Sequence, residues 1–269
     1  MKVKSFFEVL TAAVNDFIEN GFDSKRRLDS WSIKLKAAAI GSMVSDKQMQ
    51  AEIEKALGAA FTRTITKSAL EKQGISKFNI EKLKPKLRKD LDRRIMASAN
   101  LIKLNREQAI YNTLRRFQGW ATSIPVGGTK SADRIEQKDI MRRDVSKINF
   151  IQRRVVVDQT HKLVASIREV VALDAGAIAF VWKSHYRQAG YDYREDHKER
   201  NDKIYIVRDS SASKAGLVKA IDGYYDEITA PGEEINCRCF SEGIYNLREL
   251  PEKFLTQKGI EQLQSRKRE

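Results

Sequence analysis

The chain has 269 residues, and its 41% hydrophobic and 32% charged residues are typical of a globular protein that buries a core. No apolar run approaches the ~18 residues that a membrane-spanning helix needs, and the N-terminus lacks the pattern of a signal peptide. The sequence therefore predicts no membrane-spanning helix, and we expect synthesis in a reducing cytoplasm.

The formal net charge is +14 at pH 7, and it is concentrated in the first part of the chain. Residues 1–160 carry 32 Lys and Arg against 18 Asp and Glu, whereas residues 161–269 carry 18 of each kind. This asymmetry predicts a phosphate-rich or acidic partner for the first part.

The first 118 residues have the apolar periodicity of helices. Apolar side chains at positions 6, 10, 13 and 17 form one stripe, and Asn20-Gly21 is a typical helix end. Proline is favoured at the first position of a helix, so Pro85 is predicted to begin another one. After the first helix, the predicted helices run from about Ser24 to Ile40, from Ser45 to Gln73 before Gly74, and from Pro85 to Phe117.

A loop and a long helix follow. Residues 119–133 contain three glycines, one proline and small polar residues, which predicts a loop. From about Asp133 to Leu173 the apolar periodicity returns, and this segment is expected to be one long helix.

After Gly176 the pattern changes to that of strands. Segments 177–184 and 203–209 are short, β-branched and aromatic, and 237–247 could hold a third strand. The predicted fold class is α+β, with a mainly helical N-terminal part followed by a small α+β C-terminal domain. The predicted domains are a basic helical region at 1–132, a long helix plus α+β domain at 133–250, and a C-terminal tail at 251–269.

The segment 82–116 is the most basic part of the chain, with 11 Lys and Arg against three acidic residues. On a helix its cations share a face opposite Leu87 and Leu91, and such a face either neutralises phosphates or is simply solvated. No base-reading motif occurs, so we expect binding of duplex DNA without sequence preference. The predicted DNA contacts are Lys84, Lys86, Arg88, Lys89, Arg93, Arg94, Arg115 and Arg116.

The chain's two cysteines, Cys237 and Cys239, are separated by a single arginine. On an extended strand both sulfurs point to the same face, and a disulfide between them would close a small strained ring. With His197 they could ligate zinc, and His185 or an acidic side chain would be the fourth ligand. Alternatively, they pack as small apolar groups while Arg238 pairs with an acidic residue such as Asp192.

No residue set predicts catalysis. The sequence His197-Lys198-Glu199, followed by Pro231 and the cysteines, faintly resembles a zinc deaminase, but the spacings differ from that motif. A phosphate-binding glycine loop, a nucleophile elbow and a plausible catalytic triad are all missing. The sequence therefore indicates a binding protein without catalytic residues.

Landmarks of the second half occur in a specific order: "DQTHKL" at 158–163, Trp182, an Asp-x-Arg-x-x-His motif at 192–197, and Pro231 before "NCRC" at 236–239. Over residues 150–245 this order is similar to the Mu F-like head morphogenesis family of tailed bacteriophages, the minor head proteins. The motif residues that carry the resemblance are Asp192, Arg194, His197, Asn236, Cys237, Arg238 and Cys239.

Two positions depart from the family pattern. The family usually has an acidic residue where this chain has His161, and often a histidine where it has Glu234-Ile235. The second departure removes one candidate metal ligand, so the sequence favours metal-free packing of the thiols over a structural zinc.

The resemblance implies a protein present in a few copies at the portal vertex, inside the capsid of the virion. Its implied tasks are head assembly during genome packaging, DNA retention and delivery of DNA at genome ejection. The implied partners are the portal protein and double-stranded DNA, with the major capsid or scaffold protein as a further option and no membrane. The alternatives are a zinc-dependent enzyme acting on nucleic acid or nucleosides and a plain sequence-independent DNA-binding protein.

Overall fold

The computed structural model describes residues 5–66, 77–185 and 194–265. It confirms the predicted fold class. A helical N-terminal region is followed by a small C-terminal part with a three-stranded antiparallel sheet and short helices. None of the described helices is both long and apolar enough to cross a bilayer.

The first two helices, α1 (Phe6–Asn20) and α2 (Lys25–Gly41), begin and end where the sequence predicts. Ser5 and Ser24 cap their first turns by accepting backbone N–H bonds. Gly21 ends α1 with a φ of 68°, and a Cβ atom at this position would lie 1.7 Å from the Pro125 carbonyl oxygen. Only glycine satisfies both the backbone angle and the close approach.

Helix α3 (Asp46–Thr64) is shorter than predicted. Ile65 and Thr66 are no longer helical, and the predicted end at Gln73-Gly74 lies outside the described residues. The helix stops within a run of β-branched residues, which lose side-chain freedom in a helix and favour extended backbone.

Helix α4 (Lys77–Ser123) corrects two predictions. Pro85 lies inside the helix and not at its start. The proline removes one backbone hydrogen bond from the helix. Leu83 and Leu87, on either side of it, are buried, and their burial favours the continuous helix. The predicted loop 119–133 begins only after Ser123, because buried Ala121 packs in the same core cluster as Phe117 and continues the helix.

The long helix α5 (Arg134–Asp174) agrees with its prediction. Asp133 caps it by accepting the backbone N–H groups of Ile135 and Glu136 at 2.8 and 3.2 Å. Its apolar stripe is buried along Ile148, Leu163, Ile167 and Val171.

The sheet has the order β2-β1-β3 and is antiparallel throughout. Its central strand pairs Phe180 with Tyr205 on one side and with Gly243 on the other. The elements of this part are β1 (Ala179–Lys183), α6 (Glu195–Glu199), β2 (Ile204–Ile206), α7 (Ser211–Lys214), β3 (Phe240–Ile244) and α8 (Gln257–Ser265), with single 3₁₀ turns between them.

Alternate side chains of β1 enter two different cores. Phe180 and Trp182 pack with both cysteines, whereas Ala179 packs in a second cluster with Phe254 and Leu255. The segment predicted as a C-terminal tail thus contributes core residues up to α8, and residues 266–269 lie outside the described part. The apolar residues of α8 recur at helical spacing, but the charged residues around them make that spacing hard to recognise in the sequence.

The chain divides into two compact units. One comprises Met1–Glu54 and Ile95–Val156, and the other Lys55–Arg94 and Val157–Glu269. The long helices α3, α4 and α5 contribute residues to both units, so these boundaries differ from those of the predicted domains.

Candidate metal centre and basic surface

The centre is built where α6 meets the segment entering β3. His197 lies on α6, and its ring packs edge-on against Trp182 with centroids 5.3 Å apart. The Trp182 indole donates to the Ser184 hydroxyl at 3.0 Å, and that hydroxyl in turn donates to the His197 carbonyl. These bonds hold the short helix against β1.

The two sulfurs lie beside one nitrogen of His197. Its Nδ1 atom is 3.7 Å from Cys237 Sγ and 3.5 Å from Cys239 Sγ. The three residues are only 3%, 2% and 6% exposed, and both thiols are free. His197 therefore lies beside both free cysteines, as a shared metal site would require.

These donors could hold a metal ion such as zinc, since their ligand atoms all lie within 4.8 Å of one another. A tetrahedral zinc with bonds of about 2.0 Å to nitrogen and 2.3 Å to sulfur separates those ligands by roughly 3.6 Å. The observed separations of 3.5 and 3.7 Å match this edge length. Both nitrogen–sulfur separations are therefore compatible with a shared zinc ion.

The two thiols influence each other's pKa in opposite directions. A hydrogen bond from Cys239 lowers the pKa of Cys237 against the effect of burial, and the backbone N–H of Gly232, 3.4 Å from the sulfur, acts in the same direction. The same hydrogen bond and burial raise the pKa of Cys239. A metal bound to both sulfurs would require both to be deprotonated.

The other nitrogen of His197 faces a carboxylate that sequence reasoning missed. Its Nε2 atom lies 3.5 Å from Glu234 Oε2, and Arg194 Nε lies 2.9 Å from that same oxygen. The Thr229 hydroxyl donates to the second carboxylate oxygen at 3.2 Å. Carboxylates in this position can orient metal-ligating histidines. The sequence does not indicate this role for Glu234, because only the folding of its loop brings the residue beside His197.

Helix α5 holds the loop that carries the cysteines. Asp158 accepts the backbone N–H of Asn236 at 2.6 Å, and Lys162 donates to the Glu233 carbonyl at 3.2 Å. Gly232 has a φ of 87°, and a Cβ atom there would lie 2.9 Å from Ala165 Cβ. The loop is thus seated tightly on the helix.

Arg238 points away from the sulfurs, as the strand geometry predicts. Its Nη1 atom lies 3.1 Å from Nε2 of His161, the residue that departs from the family pattern. Burial, and then the charge of Arg238, lower the pKa of His161, which favours the neutral ring that accepts this bond. The predicted partner Asp192 lies outside the described residues.

Loop 231–236 contacts the "DYREDH" segment, which comprises residues 192–197. Within the described part of that segment, Arg194 donates to the Ile235 carbonyl at 3.2 Å and pairs with Glu234. Residues 192 and 193 lie outside the described part of the chain.

The predicted basic face is present on α4. Lys84, Lys86, Arg88, Lys89 and Arg93 are exposed, and Leu87 and Leu91 lie buried on the other side of the helix. Arg94 is half-buried in the same unit. Exposed Arg115 and half-buried Arg116 belong to the other unit, so the predicted set divides between the two.

Acidic neighbours neutralise part of this face. Arg88 pairs with Asp92 at 3.2 Å, and Arg94 pairs with Asp90 at 3.1 Å. Lys86 and Lys89 form no ion pair with the described residues, so they are the strongest candidates for a phosphate contact. Arg106, counted in the basic segment, is buried and donates to the Val44 carbonyl at 3.0 Å.

The motif segments resembling the Mu F-like family thus meet in space, with Asp158 on α5 and His197 on α6 both contacting the 236–239 segment. Glu199, the residue that a deaminase would use as acid and base, is exposed while His197 is buried. Comparison of the chain with protein-family models, curated proteins and solved structures gives no match.

Proposed function

We propose that the chain is a non-enzymatic head morphogenesis protein of the Mu F-like type, which acts at the portal vertex inside a phage capsid and binds duplex DNA there. The observation that carries the proposal is the meeting of the motif segments: residues 40 or more positions apart converge on one buried cluster. Buried convergence supports a structural role for the motif and speaks against an open catalytic cleft.

We further propose that the buried cluster holds a structural zinc ion. The matching donor separations support it, as does the Glu234 carboxylate behind the ligating histidine. A small unit with two modest cores gains stability from such an ion. Zinc would join α6 to the segment entering β3.

The basic face of α4 supports the DNA part of the proposal. Lys86 and Lys89 are exposed, one turn apart, and uncompensated among the described residues. Lysines in this arrangement neutralise neighbouring phosphates regardless of base sequence. A protein enclosed with packaged DNA meets that polyanion at high local concentration.

The deciding experiment is to purify particles of a phage that produces this chain and to detect the chain by mass spectrometry. Protease is added to intact and to opened particles. We expect a few copies per particle, protected in intact heads and digested in opened ones. Absence from the particles would contradict the proposal and leave the plain DNA-binding alternative.

A further inference from the structure

A groove between α2 and α4 has the form of a protein-docking site. Ser32 on α2 contacts Gln118 on α4, and Val44 just after α2 contacts Arg106. The two helices therefore run antiparallel as neighbours. Between them lies a cavity of about 640 Å³, lined in part by Ile40, Ile110 and Leu114.

Ile40 on α2 and Tyr111 on α4 line the groove, and each has an exposed apolar neighbour two turns away that lies outside the lining. Ile33 and Ile40 are 68% and 54% exposed and lie two turns apart on α2. Leu104 and Tyr111 are 60% and 59% exposed and lie two turns apart on α4. Each helix thus carries a second apolar stripe besides its buried one, an arrangement that marks an interaction surface.

The floor of the groove is held in place by Arg106. Its guanidinium donates to the Val44 carbonyl at 3.0 Å and to Asp46 Oδ1 at 3.3 Å. Lys103 also pairs with Asp46, at 3.2 Å. These contacts fix the loop after α2 against α4, so the groove is formed in advance of binding and little ordering cost remains.

The groove has a small excess of positive charge: its lining cations are Lys36, Lys103 and Arg106 and its carboxylates are Asp46 and Glu107, a net of +1. Lys103 and Arg106 share the carboxylate of Asp46, while Lys36 and Glu107 form no ion pair among the described residues. The surrounding unit carries 20 Lys and Arg against 13 Asp and Glu, a net of +7. A second copy of the chain would bring an equally basic unit against this one, which disfavours self-association.

We propose that this groove binds an acidic amphipathic helix of a partner protein, with apolar residues between the two stripes and carboxylates toward Lys36. The lining residues on α4 run from Lys103 to Leu114, about 16 Å along the helix axis, which matches about three turns of an occupant. Recognition of this kind uses apolar anchors at i, i+3 or i+4, and i+7.

The test uses a labelled synthetic helix of about 18 residues with leucines in that register and glutamates elsewhere, titrated against the full chain by fluorescence anisotropy. Its controls are a lysine-flanked version and a scrambled version of identical composition. We expect the acidic helix to bind about tenfold tighter than either control.

Variants then locate the binding. Ile40→Asp and Tyr111→Asp should each weaken the acidic helix about tenfold or more, while Ile135→Asp, a change of an equally exposed residue on α5, should not. Lys36→Glu should reverse the preference toward the lysine-flanked helix. Circular dichroism must show unchanged helix content in all four variants.

Three results would overturn the proposal. The first is equal binding of the acidic, basic and scrambled helices, or their failure to bind at all. The second is a dimer of the free chain, seen by sedimentation, that Ile40→Asp dissociates, since a second copy would then occupy the groove. The third is co-sedimentation with anionic phosphatidylserine vesicles that Ile40→Asp abolishes, which would indicate a lipid surface.

Discussion

At His197 the two ring nitrogens have different partners, and that difference defines the chemistry of the centre. Nδ1 faces two sulfurs, whereas Nε2 faces the carboxylate of Glu234. Nε2 is buried without a hydrogen bond among the described residues, and the Glu234 carboxylate is the nearest acidic group to it. If a metal binds at Nδ1, Glu234 is placed to orient the ring from the other side.

We expect protein purified without chelator to contain about one equivalent of zinc by elemental analysis, because both nitrogen–sulfur separations match those of a tetrahedral zinc site. Cys237→Ser should lose the metal and should lower the thermal unfolding midpoint. Metal-free wild-type protein with an unchanged midpoint would show that the thiols only pack.

Glu234→Gln should keep the fold but weaken zinc about 10- to 100-fold, the usual effect of losing an orienting carboxylate. The measurement is competition with a chromogenic chelator. Glu195→Gln, an exposed change on α6, is the matched control and should leave the affinity unchanged. Equal zinc affinities of the two variants would show that Glu234 does not support the metal site.

At the scale of elements, α4 is stabilised by its own charges as well as by burial. Asp90 accepts bonds from Arg93 and Arg94, one turn further along the helix. Although partial burial opposes the shift, these two arginines hold the pKa of Asp90 below its usual value. The contribution is therefore fully present above about pH 4 and is lost as the pH falls through the lowered pKa.

Asp90→Asn should reduce the free energy of unfolding by about 0.5–1 kcal/mol at pH 7. The gap between variant and wild type should close below about pH 4, where Asp90 becomes protonated. Urea unfolding across this pH range provides the measurement. Asp92→Asn, at a more exposed pair, is the control and should have a smaller effect at every pH. A difference in free energy of unfolding between Asp90→Asn and wild type that does not depend on pH would contradict the electrostatic account.

For the whole molecule, the distribution of charge along the chain indicates more about a binding partner than the net charge does. The first 160 residues carry the entire excess, and on α4 two exposed lysines lack an internal partner among the described residues. Arg88 and Arg94 are paired with acidic residues, so reversing them would disturb the helix as well as DNA binding.

We expect the full chain to bind duplex DNA of any sequence, with an affinity that falls steeply as salt increases. The double change Lys86→Glu and Lys89→Glu should weaken binding and lower the slope of log affinity against log salt by about 2. Gel shifts over a range of salt concentrations measure this. The double change Lys47→Glu and Lys55→Glu on exposed positions of α3 alters the net charge equally, and equal loss in both variants would mean only nonspecific attraction.

Local signals in the sequence predicted much of the fold and less of the centre. Ser24 and Gly21 mark helix ends because capping depends on neighbouring residues alone. Pro85 was misplaced because tertiary burial of Leu83 and Leu87 overrides its preference for a helix start. His197 and the cysteines carry recognisable chemistry, whereas Glu234 acquires its role only through the loop that brings it beside the ring.

The distance in sequence between His197 and its sulfur partners sets a waiting time during synthesis. Their separation of 40 and 42 residues corresponds to roughly 2–8 s at ribosomal rates of about 5–20 residues per second. During that interval α1 to α5 are already synthesised, while the centre lacks both thiols. The basic residues of α4 therefore leave the ribosome well before the two cysteines, and a nascent chain would present its basic face before the centre can form.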